Sequence, residues 1–138
     1  MSIQMTFNRV HQFSCAHRLH TDKMSEEENM EIYDKCNNLN GHGHDYTLEV
    51  SVRGVPDSET GMIIPLNEFD QKVRNVISKI DYKHLDKEVE FFQSNLSSGE
   101  IIIQYLWREL DQQFKENFLY HLKLWETNNN YFEYGRDQ

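Results

Sequence analysis

From His42 to Val52 the chain alternates strictly. His42, His44, Tyr46, Leu48, Val50 and Val52 share one parity, and Asp45, Thr47, Glu49, Ser51 and Arg53 the other. A period of two with apolar residues on one parity is the mark of a half-buried antiparallel strand. It constrains the rest of the chain, because such a strand needs neighbours on both sides and a layer over its apolar face. The segment from about Gln4 to Arg18 repeats the pattern, with Met5, Phe7, His11, Phe13, Cys15 and His17 on one parity. Tyr120, Leu122 and Leu124 alternate on a third strand, and Tyr131 to Tyr134 follows Asn128-Asn129-Asn130 as a fourth. Met62 to Leu66, after the loop Gly54 to Gly61, reads as a strand returning along the second.

The covering layer is helical. Asn67 is a good N-cap for a helix carrying Phe69, Val73, Val76, Ile77 and Ile80. A second helix begins at Ser97 or Ser98, where Ser97-x-x-Glu100 has the form of a capping box, and runs to about Phe114. Ser25 to Glu28 is another capping box and predicts a short helix to Tyr33. Cys36 to Gly41 reads as a loop, and Asp81 to Asn95 as irregular. The order is ββααββ: an α+β unit with an antiparallel four-stranded sheet and two helices on one face. Its free sheet edges predict self-association.

At 138 residues the chain suits one domain, 1–138. A net charge of -9 argues against a nucleic-acid surface. Ile101 to Ile103 is the longest aliphatic run, far short of a membrane span. Two cysteines, seven histidines and no signal-like leader predict a cytoplasmic protein without a disulfide scaffold.

The histidines carry the first chemical signal. His42 and His44, two apart on a strand, project to one side, and His17 ends the strand expected alongside. Three imidazoles with an open fourth position are a donor set for catalytic zinc. The ordinary alternative is a pair of histidines beside a glycine-rich turn. His11, His20 and His121 lack such partners and read as structural or exposed. Cys36, in a polar loop near the expected dication, is a candidate base or nucleophile with a depressed pKa, against the alternative of a passive thiol. Asp81 and His84 could form a proton relay, although many loops contain both residues. Glu126 continues the parity of Leu122 and Leu124, so it is either an inward carboxylate needing a planar donor pair or an edge residue in solvent.

Four segments together carry a resemblance: Phe13-Ser14-Cys15-Ala16-His17-Arg18-Leu19, Lys35 to Asn38 with Asn40-Gly41-His42-Gly43-His44-Asp45-Tyr46, Thr60-Gly61-Met62, and Trp125-Glu126-Thr127-Asn128-Asn129. They resemble the 6-pyruvoyltetrahydropterin synthase family over essentially the whole chain. The resemblance implies the tunnelling fold (T-fold), trimers stacked into a homohexamer, and a pterin site at a subunit interface. It implies zinc on His17, His42 and His44, Cys36 as general base, Asp81 in the relay that activates it, and Glu126 as anchor of the pterin 2-amino and N3 positions. The implied reaction converts 7,8-dihydroneopterin triphosphate to 6-pyruvoyltetrahydropterin and triphosphate, a lyase step of tetrahydrobiopterin biosynthesis. Arg18 and Lys23 are candidate charges for the phosphates.

One position departs from the family pattern. Tyr82 follows Asp81 where the family has His, and a phenol ionising near pH 10 is a poor substitute for imidazole. His84, two residues on, is the expected replacement. Two related activities share this scaffold. In the folate-precursor variant Glu replaces the cysteine, which Cys36 opposes. The 6-carboxytetrahydropterin synthases of queuosine biosynthesis use the same parts, but Lys35 to Asn40 and Trp125-Glu126-Thr127 look more like the tetrahydrobiopterin type. A pterin-binding homologue without catalysis and a zinc-hydroxide hydrolase are the remaining alternatives.

Overall fold

The computed structural model describes residues 3–136. Strand β1 (Met5–His17) pairs antiparallel with β2 (His42–Gly54) along its whole length, from Met5 opposite Gly54 to His17 opposite His42. Between them lies α1 (Glu26–Tyr33), closed at its start by the expected box: Glu28 N–H donates to Ser25 Oγ, and Ser25 N–H to the Glu28 carboxylate. A 3-10 turn, Asp34–Asn37, follows.

Helix α2 (Leu66–Ile77) starts after Pro65, so Asn67 lies inside its first turn rather than at the cap. The returning strand expected at Met62 to Leu66 does not form. Both flanks of β2 are already taken, by β1 and by β4 (Leu119–Trp125), so no edge remains for it. Ile64 from this segment is buried in the core instead.

The segment expected to be irregular holds β3 (Lys83–His84), a four-residue helix α3 (Leu85–Glu88) and a 3-10 turn, Glu90–Gln93. β3 pairs parallel with β1, Cys15 opposite Lys83 and Ala16 opposite His84. Among the described residues the sheet therefore has five strands, in the order β3-β1-β2-β4-β5 with β5 at Tyr131–Gly135. β3 was not expected from the sequence, because two residues cannot show a period.

Helix α4 (Gly99–Gln113) begins after Ser98, which occupies the cap position. The capping box read at Ser97 and Glu100 is not formed. Ser97 is fully buried, and its hydroxyl donates to Asp86.

The core lies between the sheet and the two long helices. Tyr46, Leu48, Val50 and Val52 of β2 and Leu119, Leu122 and Leu124 of β4 meet Phe69, Val73 and Val76 of α2 and Ile102, Leu106 and Leu110 of α4, all buried. A register shift between Ser51 and Val52 adjusts β2 to β4. Among the described residues no helix is long and apolar enough to cross a membrane.

Candidate metal centre and adjoining cleft

The β1–β2 register builds the centre. His17 is the Cα partner of His42, and His44, two residues along β2, projects to the same side. The ring centroids lie 4.5 Å (His17–His42), 4.8 Å (His42–His44) and 5.2 Å (His17–His44) apart. One ligand atom from each, all within 4.8 Å of one another, could hold a metal ion.

Gly41 permits this approach. Its φ of +77° is favourable only without a side chain, and a β-carbon there would lie 2.9 Å from the His17 carbonyl oxygen and 2.7 Å from His84 Nε2.

The nitrogens are poised for a cation. His17 is 1% exposed, and its Nδ1–H donates to the Ser97 carbonyl oxygen at 2.6 Å, which leaves the lone pair on Nε2. That Nε2 faces His42 Nε2 at 3.0 Å. His42 Nδ1 and His44 Nε2 are buried without a hydrogen-bond partner among the described residues. Burial holds His42 and His44 below the ordinary histidine pKa, helped at both by the charge of neighbouring imidazoles. A pair kept neutral near pH 7 suits metal ligation, since only unprotonated imidazole binds. The donor set therefore fits a dication.

Cys36 sits in the 3-10 turn after α1, half-buried. The turn is stitched to the end of β1: Leu19 N–H donates to the Cys36 carbonyl, Asn37 Nδ2 to the Leu19 carbonyl, and Arg18 Nε to the Asn37 carbonyl. Cys36 shares a cleft of about 600 Å³ with His42, His44, Met30, Asp34, Lys35 and Asn38, a volume in the range of small-molecule sites. The depressed pKa expected from the sequence rests on a bound dication; the protein's own groups push this thiol up, burial first and then the charges of Glu126 and Asp34. A thiolate there needs positive charge brought into the cleft. Cys15, on β1, is buried and pushed up to about 12 by desolvation, as a structural thiol would be.

Glu126 follows β4. Tyr46 Oη donates to its Oε2 at 3.5 Å and Asn130 Nδ2 to its Oε1 at 3.2 Å. Its charge reaches Cys36, His42 and His44 alike and raises the pKa of each. The inward parity read from the sequence thus leads to a half-buried carboxylate.

The other sequence candidates lie elsewhere. Asp81 accepts the Ser14 N–H at 2.9 Å and lines a cleft with Arg9, His11, Asp70 and Arg74. Tyr82 is 86% exposed at a φ of 60°, held by its N–H bond to the Ser14 carbonyl. His84 is half-buried, its ring against Gly41, and with Tyr82 it lines a shallow cleft that also reaches His44. Neither Asp81 nor Tyr82 lines the Cys36 cleft of its own chain. Arg18 and Lys23 share a separate cleft of about 690 Å³ with His20, Asp22 and Asp86. Sequence reasoning missed Asp86 and misassigned Ser97. Asp86 lies in a stretch without periodicity, and the unusual burial of a serine beside a helix start is visible only in three dimensions.

Comparison with known proteins agrees with this geometry. Residues 6–137 match the family model described as 6-pyruvoyl tetrahydropterin synthase. The chain is 43% identical over 124 residues to 6-pyruvoyl tetrahydrobiopterin synthase of Drosophila melanogaster, covering 88% of this chain and 74% of that protein. It is 37% identical over 132 residues to the human protein of the same name, covering 95% and 91%. The solved structure of the Caenorhabditis elegans 6-pyruvoyl tetrahydropterin synthase superposes with a TM-score of 0.93 at 38% identity, covering 98% and 97%.

Proposed function

The chain belongs to the 6-pyruvoyl tetrahydropterin synthase family, and we propose that it is a zinc-dependent lyase converting 7,8-dihydroneopterin triphosphate to 6-pyruvoyltetrahydropterin and triphosphate. The observation that carries this reading is the convergence of His17, His42 and His44 on one point beside a cleft that also holds Cys36 and feels the charge of Glu126. The names of the relatives in fly, worm and human support it.

Each residue takes a defined part. Glu126, an acceptor with two oxygens, pairs with the 2-amino and N3–H donors of the pterin, a planar bidentate match. His17, His42 and His44 hold zinc, which when bound supplies Lewis acidity toward the side-chain oxygens of the substrate. Cys36 removes the carbon-bound proton next to those oxygens. A cation held beside Cys36 would oppose the burial and carboxylate charges that push its thiol up and would favour the thiolate. The side-chain carbinol is oxidised as the ring C=N is reduced and triphosphate leaves, so no external redox cofactor is needed.

The relay is the part a single chain does not assemble. Asp81 and His84 are proposed as the proton relay for Cys36 of a neighbouring copy, in a homohexamer with its pterin site at the subunit interface. His84 rather than Tyr82 is assigned, because imidazole exchanges protons near neutrality and the buried His84 Nδ1, 3.9 Å from the Asp86 carboxylate, makes no hydrogen bond among the described residues. Arg18 and Lys23, in their common cleft, are proposed to receive the phosphates.

Incubation of the zinc-loaded protein with 7,8-dihydroneopterin triphosphate tests this. The expected products are triphosphate and a tetrahydropterin retaining all three side-chain carbons. Release of acetaldehyde with a 6-carboxytetrahydropterin would assign the queuosine-type reaction instead. Binding of the pterin without turnover would favour a non-catalytic homologue, the reading that Tyr82 at the relay position keeps in play.

A further inference from the structure

Asp86 straps the buried end of the metal centre from two sides. Its Oδ2 accepts the N–H of Arg18 at 2.6 Å, the residue directly after His17. Its Oδ1 accepts the hydroxyl of Ser97 at 2.7 Å. Ser97, in turn, presents the carbonyl oxygen that receives His17 Nδ1–H at 2.6 Å. One carboxylate therefore fixes both the backbone that carries the ligand and the group that orients its ring. Ser97 is fully buried and His17 nearly so, which keeps solvent from the His17–Ser97 bond, while Asp86, 26% exposed and 3.9 Å from His84 Nδ1, holds the outer end. Asp86 belongs to α3 and Ser97 to the turn before α4, two segments that have no direct place in the centre.

We propose that Asp86 is a positioning residue for the metal centre. Acting through Ser97, it sets the tautomer and direction of His17, so that Nε2 points its lone pair toward His42 and His44. This rests on the reading of His17, His42 and His44 as zinc ligands. The physical reason is the low tolerance of such a ligand for rotation. If the Ser97 carbonyl moves away, Nδ1 and Nε2 compete for the proton, and part of the population turns its N–H toward the cation.

Alanine at Asp86 leaves the buried Ser97 hydroxyl with only a 3.5 Å contact to the Arg18 carbonyl. Asparagine preserves the strap: its oxygen can accept Arg18 N–H while its amide donates to Ser97 Oγ. The full chain carrying Asp86→Ala, Asp86→Asn or Ser97→Ala, or the first and last together, is stripped of metal. Its zinc affinity is then measured by chelator competition at one pH, and thermal unfolding is recorded without metal.

Asp86→Ala is expected to weaken zinc binding about 10- to 100-fold, Asp86→Asn by much less, and Ser97→Ala in the same direction as Asp86→Ala. The double change should be no worse than Asp86→Ala alone, since both interrupt one path. A lowered unfolding temperature with unchanged zinc affinity in Asp86→Ala would make the carboxylate a purely structural clamp and overturn the proposal. If Asp86→Ala does not fold, unchanged affinity in Ser97→Ala does the same. Failure of the unaltered protein to bind zinc is a separate outcome, and it would remove the metal reading itself.

Discussion

The ring of Phe132 lies directly on the backbone of Gly99, so that a β-carbon at Gly99 would stand 2.0 Å from Phe132 Cε2 and 2.3 Å from its Cζ. This contact locks β5 onto the first turn of α4, immediately after Ser97 and Ser98. Gly99 has no positive φ, so its reason is space alone. Gly99→Ala should gain little from helix propensity at the first helical position and lose about 1–3 kcal/mol from overpacking. The half-buried ring can swing partly outward, which favours the lower part of that range. Phe132→Leu should recover part of the loss, so that a double-mutant cycle by denaturant unfolding shows favourable coupling. Equal costs for Gly99→Ala in both backgrounds would mean the ring is not what excludes the side chain.

Asp70 accepts Arg9 Nε at 2.8 Å and His11 Nε2 at 2.9 Å. Burial pushes Asp70 up, but the two hydrogen bonds and their charges outweigh it and hold the carboxyl below its ordinary 3.8. A depressed carboxylate stabilises the fold above its unfolded value, and that contribution is lost as pH falls through the folded value. Asp70→Asn in metal-free protein should therefore cost about 1–2 kcal/mol near pH 6, allowing for the solvent-screened Arg9. The gap should persist to about pH 4 and close only below it. His11, held below 6.5 chiefly by burial, adds a separate loss that begins as pH falls past 6.5. Unfolding temperatures across pH 7 to 3 resolve the two limbs, and a gap constant down to pH 3 would contradict the assignment.

Glu126 is expected to act on both the ligand and the thiol. Glu126→Ala should weaken dihydropterin binding by about 2–3 kcal/mol, the cost of leaving donors opposite a lost charged acceptor. Zinc content should not change. Because Glu126 pushes Cys36 up, the same variant should lower the thiol pKa and speed its alkylation at pH 7.5 in metal-free protein. Unchanged alkylation together with unchanged pterin affinity would leave Glu126 a surface carboxylate.

The relay assignment separates His84 from Tyr82. His84→Ala should reduce turnover about 100- to 10,000-fold with pterin binding intact, and Tyr82→Phe should matter little. Tyr82→His should maintain or raise activity by restoring the family residue. An inactive Tyr82→Phe beside a normal His84→Ala would transfer the acid role to the exposed phenol.

These sites differ in how far the sequence exposed them. The alternation from His42 to Val52 carried the strand, its buried face and the common direction of His42 and His44, because a period of two is a local property. The parity of Leu122, Leu124 and Glu126 likewise led to the carboxylate that Tyr46 contacts. Pairings that depend on distant partners stayed hidden. The Met62 to Leu66 strand failed because β1 and β4 occupy both flanks of β2. β3 was missed because it is two residues paired with the end of β1. The upward shift of Cys36 comes from burial and from Glu126, far away in the chain. Ser97 and Ser98 are equivalent caps on paper; in the fold Ser98 occupies the cap position, while the Ser97 hydroxyl bonds Asp86 and its carbonyl receives His17.

The central claim is that one cleft joins a histidine-held zinc to a thiol that moves a carbon-bound proton. Its most direct test is the turnover of 7,8-dihydroneopterin triphosphate by Cys36→Ala, with zinc content and dihydropterin affinity measured on the same preparation. The account predicts zinc and affinity equal to those of the unaltered protein and a rate about 100- to 10,000-fold lower. Turnover at the unaltered rate with zinc and pterin bound would show that Cys36 is a bystander and would contradict the account.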